Sequence, residues 1–210
     1  MNRKIVLLSC VLFLFACGLA GCGKSEGKGQ EAAAVDSYTA EIGKDGIVTS
    51  NIEEAFASEY YDEESLKEFI LMEAGRYNSR VGEDRITVKK LEVKKDTARL
   101  TMQFQSAEDF AAFNGYTMFS GTVAEAYEAG FDLQVTLDDV DTEGDVITRD
   151  QLLEMGSRGI VIIGLQAGER LTVKTSGKIL YQSGAESVEK ATAVISGDGA
   201  SPVYLVYKQK

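Results

Sequence analysis

From residue 37 onward, apolar and polar residues alternate in short runs that break at glycines and polar pairs. Tyr38, Ala40 and Ile42 alternate with polar neighbours, and Val48 and Ile52 continue the phase after Gly43-Lys44-Asp45-Gly46. A period of two interrupted by Asp-Gly predicts a β-hairpin over residues 37–56. The period then changes. Leu66, Phe69, Ile70, Ala74 and Tyr77 fall on one face of a helix, which predicts a helix capped by Asp62 and running to about Asn78. Glu63 and Glu64 lie in its first turn, where the helix dipole favours acids. A second hairpin starts at Ile86 and Val88, shifts phase at Lys89-Lys90 to Leu91 and Val93, and turns at Lys95-Asp96. The phase shift predicts a β-bulge. Ala98, Leu100, Met102 and Phe104 form the return strand, the cleanest alternation in the chain.

Ser106 predicts the cap of a short helix carrying Phe110 and Phe113 and ending at Asn114-Gly115. Thr122 with Glu125, and Thr148 with Gln151, have the spacing of capping boxes. The first would open a helix through Ala126 and Tyr127 that stops at Gly130. The second would open one burying Leu152, Leu153 and Met155. Between them Phe131, Leu133, Val135 and Leu137 alternate and predict a third strand. From Gly159 the texture changes. Residues 160–163 are a continuous aliphatic run, as in a strand buried on both faces. Short strands are expected at 171–175, 178–182, 191–195 and 203–207, punctuated by Gly168, Gly177, Gly184 and Gly197. The fold class expected is α+β: antiparallel β-hairpins with helices packed on one face (37–157), then a mostly β part (158–210). Whether that part completes the first sheet or forms a second unit stays open from sequence.

The residues before 37 have a different character. Arg3 and Lys4 precede an apolar run from Ile5 to Ala16 broken only by Ser9, and small residues lead to Leu19-Ala20-Gly21-Cys22. This is the anatomy of a signal peptide over 1–21, too short to span a bilayer comfortably. Leu19-Ala20-Gly21-Cys22 resembles the lipobox of bacterial lipoproteins. The resemblance implies that Cys22 receives a diacylglyceryl group on sulfur and becomes the mature N-terminus after cleavage. Two acyl chains hold firmly, since each buried methylene contributes ~0.8 kcal/mol and one chain alone is marginal. Residues 22–36 mix glycine with charge and read as a flexible tether with a reach of roughly 20 Å.

Composition narrows the chemistry. Cys10 and Cys17 lie in the signal segment, which leaves Cys22 alone for the mature chain and no disulfide framework. The net charge of -11 becomes -13 once Arg3 and Lys4 are removed with the signal, which argues against nucleic-acid binding. The same charge would repel the folded part from anionic headgroups. With no histidine, Ser-His-Asp and Cys-His machinery and the common zinc sites are excluded. Enzymes left open would use carboxylates, Lys, Tyr or an oxygen-bound metal.

One segment has metal-ligand spacing. Residues 139–150 place Asp139, Asp141 and Glu143 at positions 1, 3 and 5 of a loop similar to the EF-hand or dockerin calcium type, with Gly144, Val146 and Asp150 at 6, 8 and 12. Asp145 adds a further acid. Glu at position 5 is longer than the usual ligand, and a strand precedes the loop where an EF-hand has a helix. The reading taken is an acidic, solvated hairpin turn followed by a capped helix, and no cofactor is expected. Tyr60-Tyr61 could serve an interface, but a packing role at the helix start is the plainer reading. Phe104, Phe110, Phe113, Tyr116 and Phe119 read as core.

Tyr60-Tyr61-Asp62-Glu63-Glu64, the stretch from Ser106-Ala107-Glu108-Asp109 to Phe113-Asn114, and Gly121-Thr122-Val123-Ala124-Glu125-Ala126 resemble uncharacterised surface lipoproteins of clostridial Gram-positive bacteria. The resemblance covers roughly residues 38–210 and implies a place on the outer face of a cell membrane, with no activity attached. The function expected is a non-enzymatic binding or interaction module, held at the membrane by the lipid on Cys22 and directed to an extracellular protein or glycan. The alternatives are a carboxylate-dependent enzyme acting on cell-wall glycans, or an accessory subunit of a membrane complex.

Overall fold

The computed structural model describes residues 36–57 and 61–209. The signal segment, Cys22, the tether up to residue 35 and Tyr60 therefore lie outside the described residues. Thirteen strands and four helices follow in order among them. β1 (Ser37–Ile42), β2 (Val48–Ala55), β3 (Ile86–Lys94) and β4 (Thr97–Phe104) are the two expected hairpins. Between the hairpins runs α1 (Glu63–Val81), and α2 (Ala107–Asn114) follows them. β5 (Thr117–Thr122), α3 (Val123–Glu128), β6 (Leu137–Asp139), β7 (Val146–Ile147) and α4 (Arg149–Glu154) come next. β8 (Gly159–Gly164), β9 (Arg170–Lys174), β10 (Ile179–Ser183), β11 (Ser187–Glu189), β12 (Thr192–Ser196) and β13 (Val203–Tyr207) complete the chain.

The strands form two sheets. One has the order β11-β12-β9-β1-β2-β4-β3, the other β5-β8-β13-β10-β6-β7. Pairing is antiparallel except for β1 with β9, which is parallel. Both sheets draw on both parts of the chain: β9, β11 and β12 extend the sheet of the first hairpins, and β5 to β7 flank β8, β10 and β13. The fold is α+β, with a largely β C-terminal part.

Local chemistry explains the elements. Asp62 caps α1 by accepting from Ser65 N at 2.7 Å, and Gly82 ends it in the left-handed region that glycine adopts without penalty. The phase shift at Lys89-Lys90 is a bulge, with the register slipping between Val88 and Lys90 against β4. Lys95 and Asp96 both take positive φ, as a two-residue hairpin turn twisted to match its strands requires. Glu125 accepts from Thr122 N at 2.7 Å, and Gln151 from Thr148 N at 2.9 Å.

The first sheet is amphipathic. Its outer face is polar and cross-paired: Arg99 meets Glu53 at 2.6 Å and Thr101 donates to Asn51 at 2.9 Å. On its inner face Ala40, Ile42, Val48, Leu100, Met102 and Phe104 are buried with Leu66, Ile70 and Tyr77 of α1 and Phe110 and Phe113 of α2. Val161, Ile163, Leu205 and Tyr207 of the second sheet join the same core. Each fully buried aliphatic side chain here contributes about 2 kcal/mol by leaving water. The second sheet is covered on its other face as well, where Ile160, Ile162, Tyr204 and Val206 meet Val123 and Ala126 of α3 and Leu152 of α4. That two-sided cover is why residues 160–163 carry no polar alternation.

A polar node ties α1, β3 and α2 together. Asp109 accepts from Tyr77 Oη at 2.9 Å, Ser106 Oγ at 2.9 Å and Arg85 Nε at 3.0 Å. Asn78 holds the adjacent backbone, accepting from Arg85 N and Ile86 N and donating to Ile86 O. Burial alone would push the Asp109 carboxyl up. The hydrogen bonds from Arg85, Ser106 and Tyr77 outweigh it and hold the group below the usual carboxylate range.

One expectation needs correction. Residues 131–136 are not a strand; only Leu137–Asp139 is. Asp132 accepts from Gln134 N at 2.9 Å and Val135 N closes on Leu133 O at 2.8 Å, so the backbone turns on itself instead of pairing. The apolar alternation reflects Leu133 and Leu137 reaching into the core beneath α3 and α4. Thr117–Thr122, for which the sequence pattern gave no assignment, is a strand paired with β8 along its whole length.

Candidate functional site

β6 and β7 pair through Leu137 with Ile147 and Asp138 with Val146, and the acidic segment is the turn between them. Asp139 Oδ1 accepts from the N–H groups of Asp141 and Thr142 at 2.8 and 2.9 Å. The backbone closes behind it, Asp139 N to Asp145 O at 2.8 Å and Asp145 N to Thr142 O at 3.2 Å. Gly144 supplies the positive φ of the turn. An Asp that bonds the backbone two and three residues ahead is a turn former, and its acceptor is committed. Asp141 turns outward to Lys178 Nζ, at 2.7 and 2.5 Å. Asp150 belongs to the first turn of α4 and lies 3.4 Å from Arg149. Asp139, Asp141, Glu143, Asp145 and Asp150 are thus distributed among a turn, an ion pair to β10's neighbour Lys178 and a helix start. Among the described residues, no group of three or more His, Cys, Asp or Glu side chains is arranged to hold a metal ion.

The turn borders an open groove of ≈ 550 Å³, walled by residues 138–141, Glu143 and Gly144 on one side and by Gln182 and residues 185–188 on the other. Gln182 bridges the two walls, donating to Asp138 at 3.1 Å and accepting from Ala185 N at 2.9 Å. Glu186 accepts from the Ser196 hydroxyl and pairs with Arg170 at 2.9 Å; those two partners hold it below the usual carboxylate range. Such a groove offers acceptors to N–H and O–H donors and repels anions. Of the tyrosine pair, Tyr61 packs its ring 4.8 Å from Phe56. The aromatic run is core, with Phe104 5.3 Å from Phe110 and 5.6 Å from Phe113. Phe119 packs its ring at a tilt against Phe131, 4.7 Å between centroids, over the other face of the second sheet.

A buried acid escaped the sequence reading. Glu54 is 2% exposed, accepts from the Tyr38 hydroxyl through Oε1, and leaves Oε2 with no hydrogen-bond partner among the described residues. Burial pushes its carboxyl up, the hydrogen bond from Tyr38 opposes this, and Asp36 adds to the rise. Burial, with the neighbouring Glu54, drives the Tyr38 phenol upward too, and the buried Tyr116 phenol is pushed up to about 12. The signal was available: Glu54 shares the inward phase of Val48, Ser50 and Ile52 in β2.

No family model matches the chain, and no curated protein and no solved structure matches it either.

Proposed function

We propose that this chain is a bacterial surface lipoprotein, held at the outer face of the cytoplasmic membrane by a diacylglyceryl group on Cys22. Its folded part would serve as a binding or interaction module and not as an enzyme. The observation that carries this reading is Leu19-Ala20-Gly21-Cys22 standing behind a basic and then apolar leader, with a polar, glycine-bearing segment after it. The folded part supports it. Its groove is open, and four of the five acids lining it, Asp138, Asp139, Asp141 and Glu186, are tied to Gln182, backbone N–H groups, Lys178 and Arg170, which leaves Glu143 as a single acid without a second beside it to make a pair. A general acid–base pair would instead need carboxyls free to reach a substrate proton. The acidic surface directs the partner class toward cationic or hydroxyl-rich molecules and away from nucleic acid.

Fractionation with protease shaving of intact host cells tests the location. The chain is expected in the membrane fraction and open to protease added outside. Recovery from the cytosol, protected until lysis, would overturn the reading. Crosslinking on the same cells before extraction would identify the partner.

A further inference from the structure

Glu54 stands where the chain enters the domain. Asp36 Oδ1 accepts from Ala55 N at 3.2 Å, and Ser37 pairs with Glu53 in the register that brings Tyr38 onto the Glu54 carboxyl. The parallel contact of β1 with β9 begins only at Thr39. In strand register Ser37 and Tyr38 therefore have a partner only in β2, while Thr39, Ala40 and Glu41 have partners in both β2 and β9. β2 itself stays fixed at this end by β4, Glu54 opposite Ala98 and Ala55 opposite Thr97. Peeling back the entry segment would leave the β2–β4 pairing in place while lifting Tyr38 from the edge of the main core.

The surroundings of Glu54 disfavour a charge. Asp36 faces it from the entry segment and Tyr38 from β1; Tyr116, from the α2–β5 connection, stands behind Tyr38, and Glu169 faces Tyr116. Each is an acid or a phenol, and β4 contributes the neutral pair Ala98 and Thr97. The ion pairs among the described residues engage other carboxylates. A protonated carboxyl, its Oε2 still without a partner among the described residues, costs less here than a carboxylate, which must draw in water or leave.

We propose that Tyr38 and Glu54 form a proton-dependent clasp on the entry segment, closed while Glu54 holds its proton and loosened when it gives the proton up. The sign follows from linkage. The folded group binds its proton more tightly than the open one, so closure is complete below the ordinary carboxyl value and is lost as pH rises through the raised one. Over that interval opening becomes roughly tenfold easier per pH unit, and it levels off above.

Amide hydrogen exchange on the full chain in nonionic detergent, from about pH 4 to about pH 9, reads this directly once corrected for intrinsic rates. Protection at Ala55, whose N–H is held by Asp36, should fall by that slope and then plateau, while protection at Ile70 in α1 does not follow it. In Glu54→Gln the fall should vanish, since the amide keeps an acceptor for Tyr38 and carries no charge. In Tyr38→Phe the plateau should move to higher pH, because the phenol's hydrogen bond is what restrains the rise at Glu54. Unchanged protection across the range, the same fall in Glu54→Gln, or an unmoved plateau in Tyr38→Phe would each overturn the proposal.

Discussion

Arg85 and Asp109 meet at 2.9 Å, and the carboxylate they share with Tyr77 and Ser106 fixes where α1, β3 and α2 stand relative to one another. Asp109 is 6% exposed, so removing it strands a buried hydroxyl and leaves Arg85 only the exposed Glu83, at 3.6 Å, as a counter-charge. Asp109→Ala is expected to lower unfolding stability by about 3 kcal/mol, and Tyr77→Phe by about 1 kcal/mol. Urea unfolding of each variant measures both.

The same node gives an acid limb to the stability profile. The Asp109 carboxyl is held down in the folded state, so its contribution is present above the ordinary carboxyl value and is lost as pH falls through the lowered one. Melting temperature should decline on acidification in the wild type and decline less in Asp109→Asn. An equal decline in both would place the acid sensitivity elsewhere.

Gly159 lies opposite Tyr207 in the β8–β13 register, and a Cβ on Gly159 would fall 2.2 Å from Cζ of the Tyr207 ring. The ring occupies the space that the missing side chain leaves. Gly159→Ala is expected to destabilise by about 2 kcal/mol, from overpacking at a site with no slack. Combining it with Tyr207→Leu should recover part of the loss, and the double-mutant cycle should show a clear non-additive term.

How much of this was legible in the sequence divides along burial geometry. The two hairpins, the bulge at Lys89-Lys90, the caps at Asp62 and Ser106 and the boxes at Thr122 and Thr148 could be read because their causes are local. Residues 131–136 misled because apolar alternation reports which side chains are buried, and a self-turning segment can bury the same ones. β5 was missed because Met118 and Phe119 are apolar at adjacent positions, one toward each face of a sheet that is covered on both. The parallel β1–β9 contact joins residues far apart in the chain, and no local pattern encodes such a partner. Glu54 was hidden by its type: an acid at an inward position reads as noise until its burial is seen.

The acidic turn sets a test for calcium. Asp139 already satisfies two N–H groups and Asp141 already pairs with Lys178, so a cation must compete with both. At fixed ionic strength, calcium should raise the melting temperature no more than magnesium does. Asp139→Ala should cost about 1 kcal/mol whether or not calcium is present, through the lost turn. A rise specific to calcium and abolished in that variant would show that the loop closes around an ion.

Under the proposed function, Cys22 carries the lipid that holds the folded part at the membrane. Metabolic labelling with a fatty-acid analogue in the native host, comparing the wild type with Cys22→Ser, tests it most directly. Label is expected on the wild type and none on Cys22→Ser, with release of the variant from the membrane fraction. Equal labelling of the two chains, or an unlabelled wild type, would contradict it.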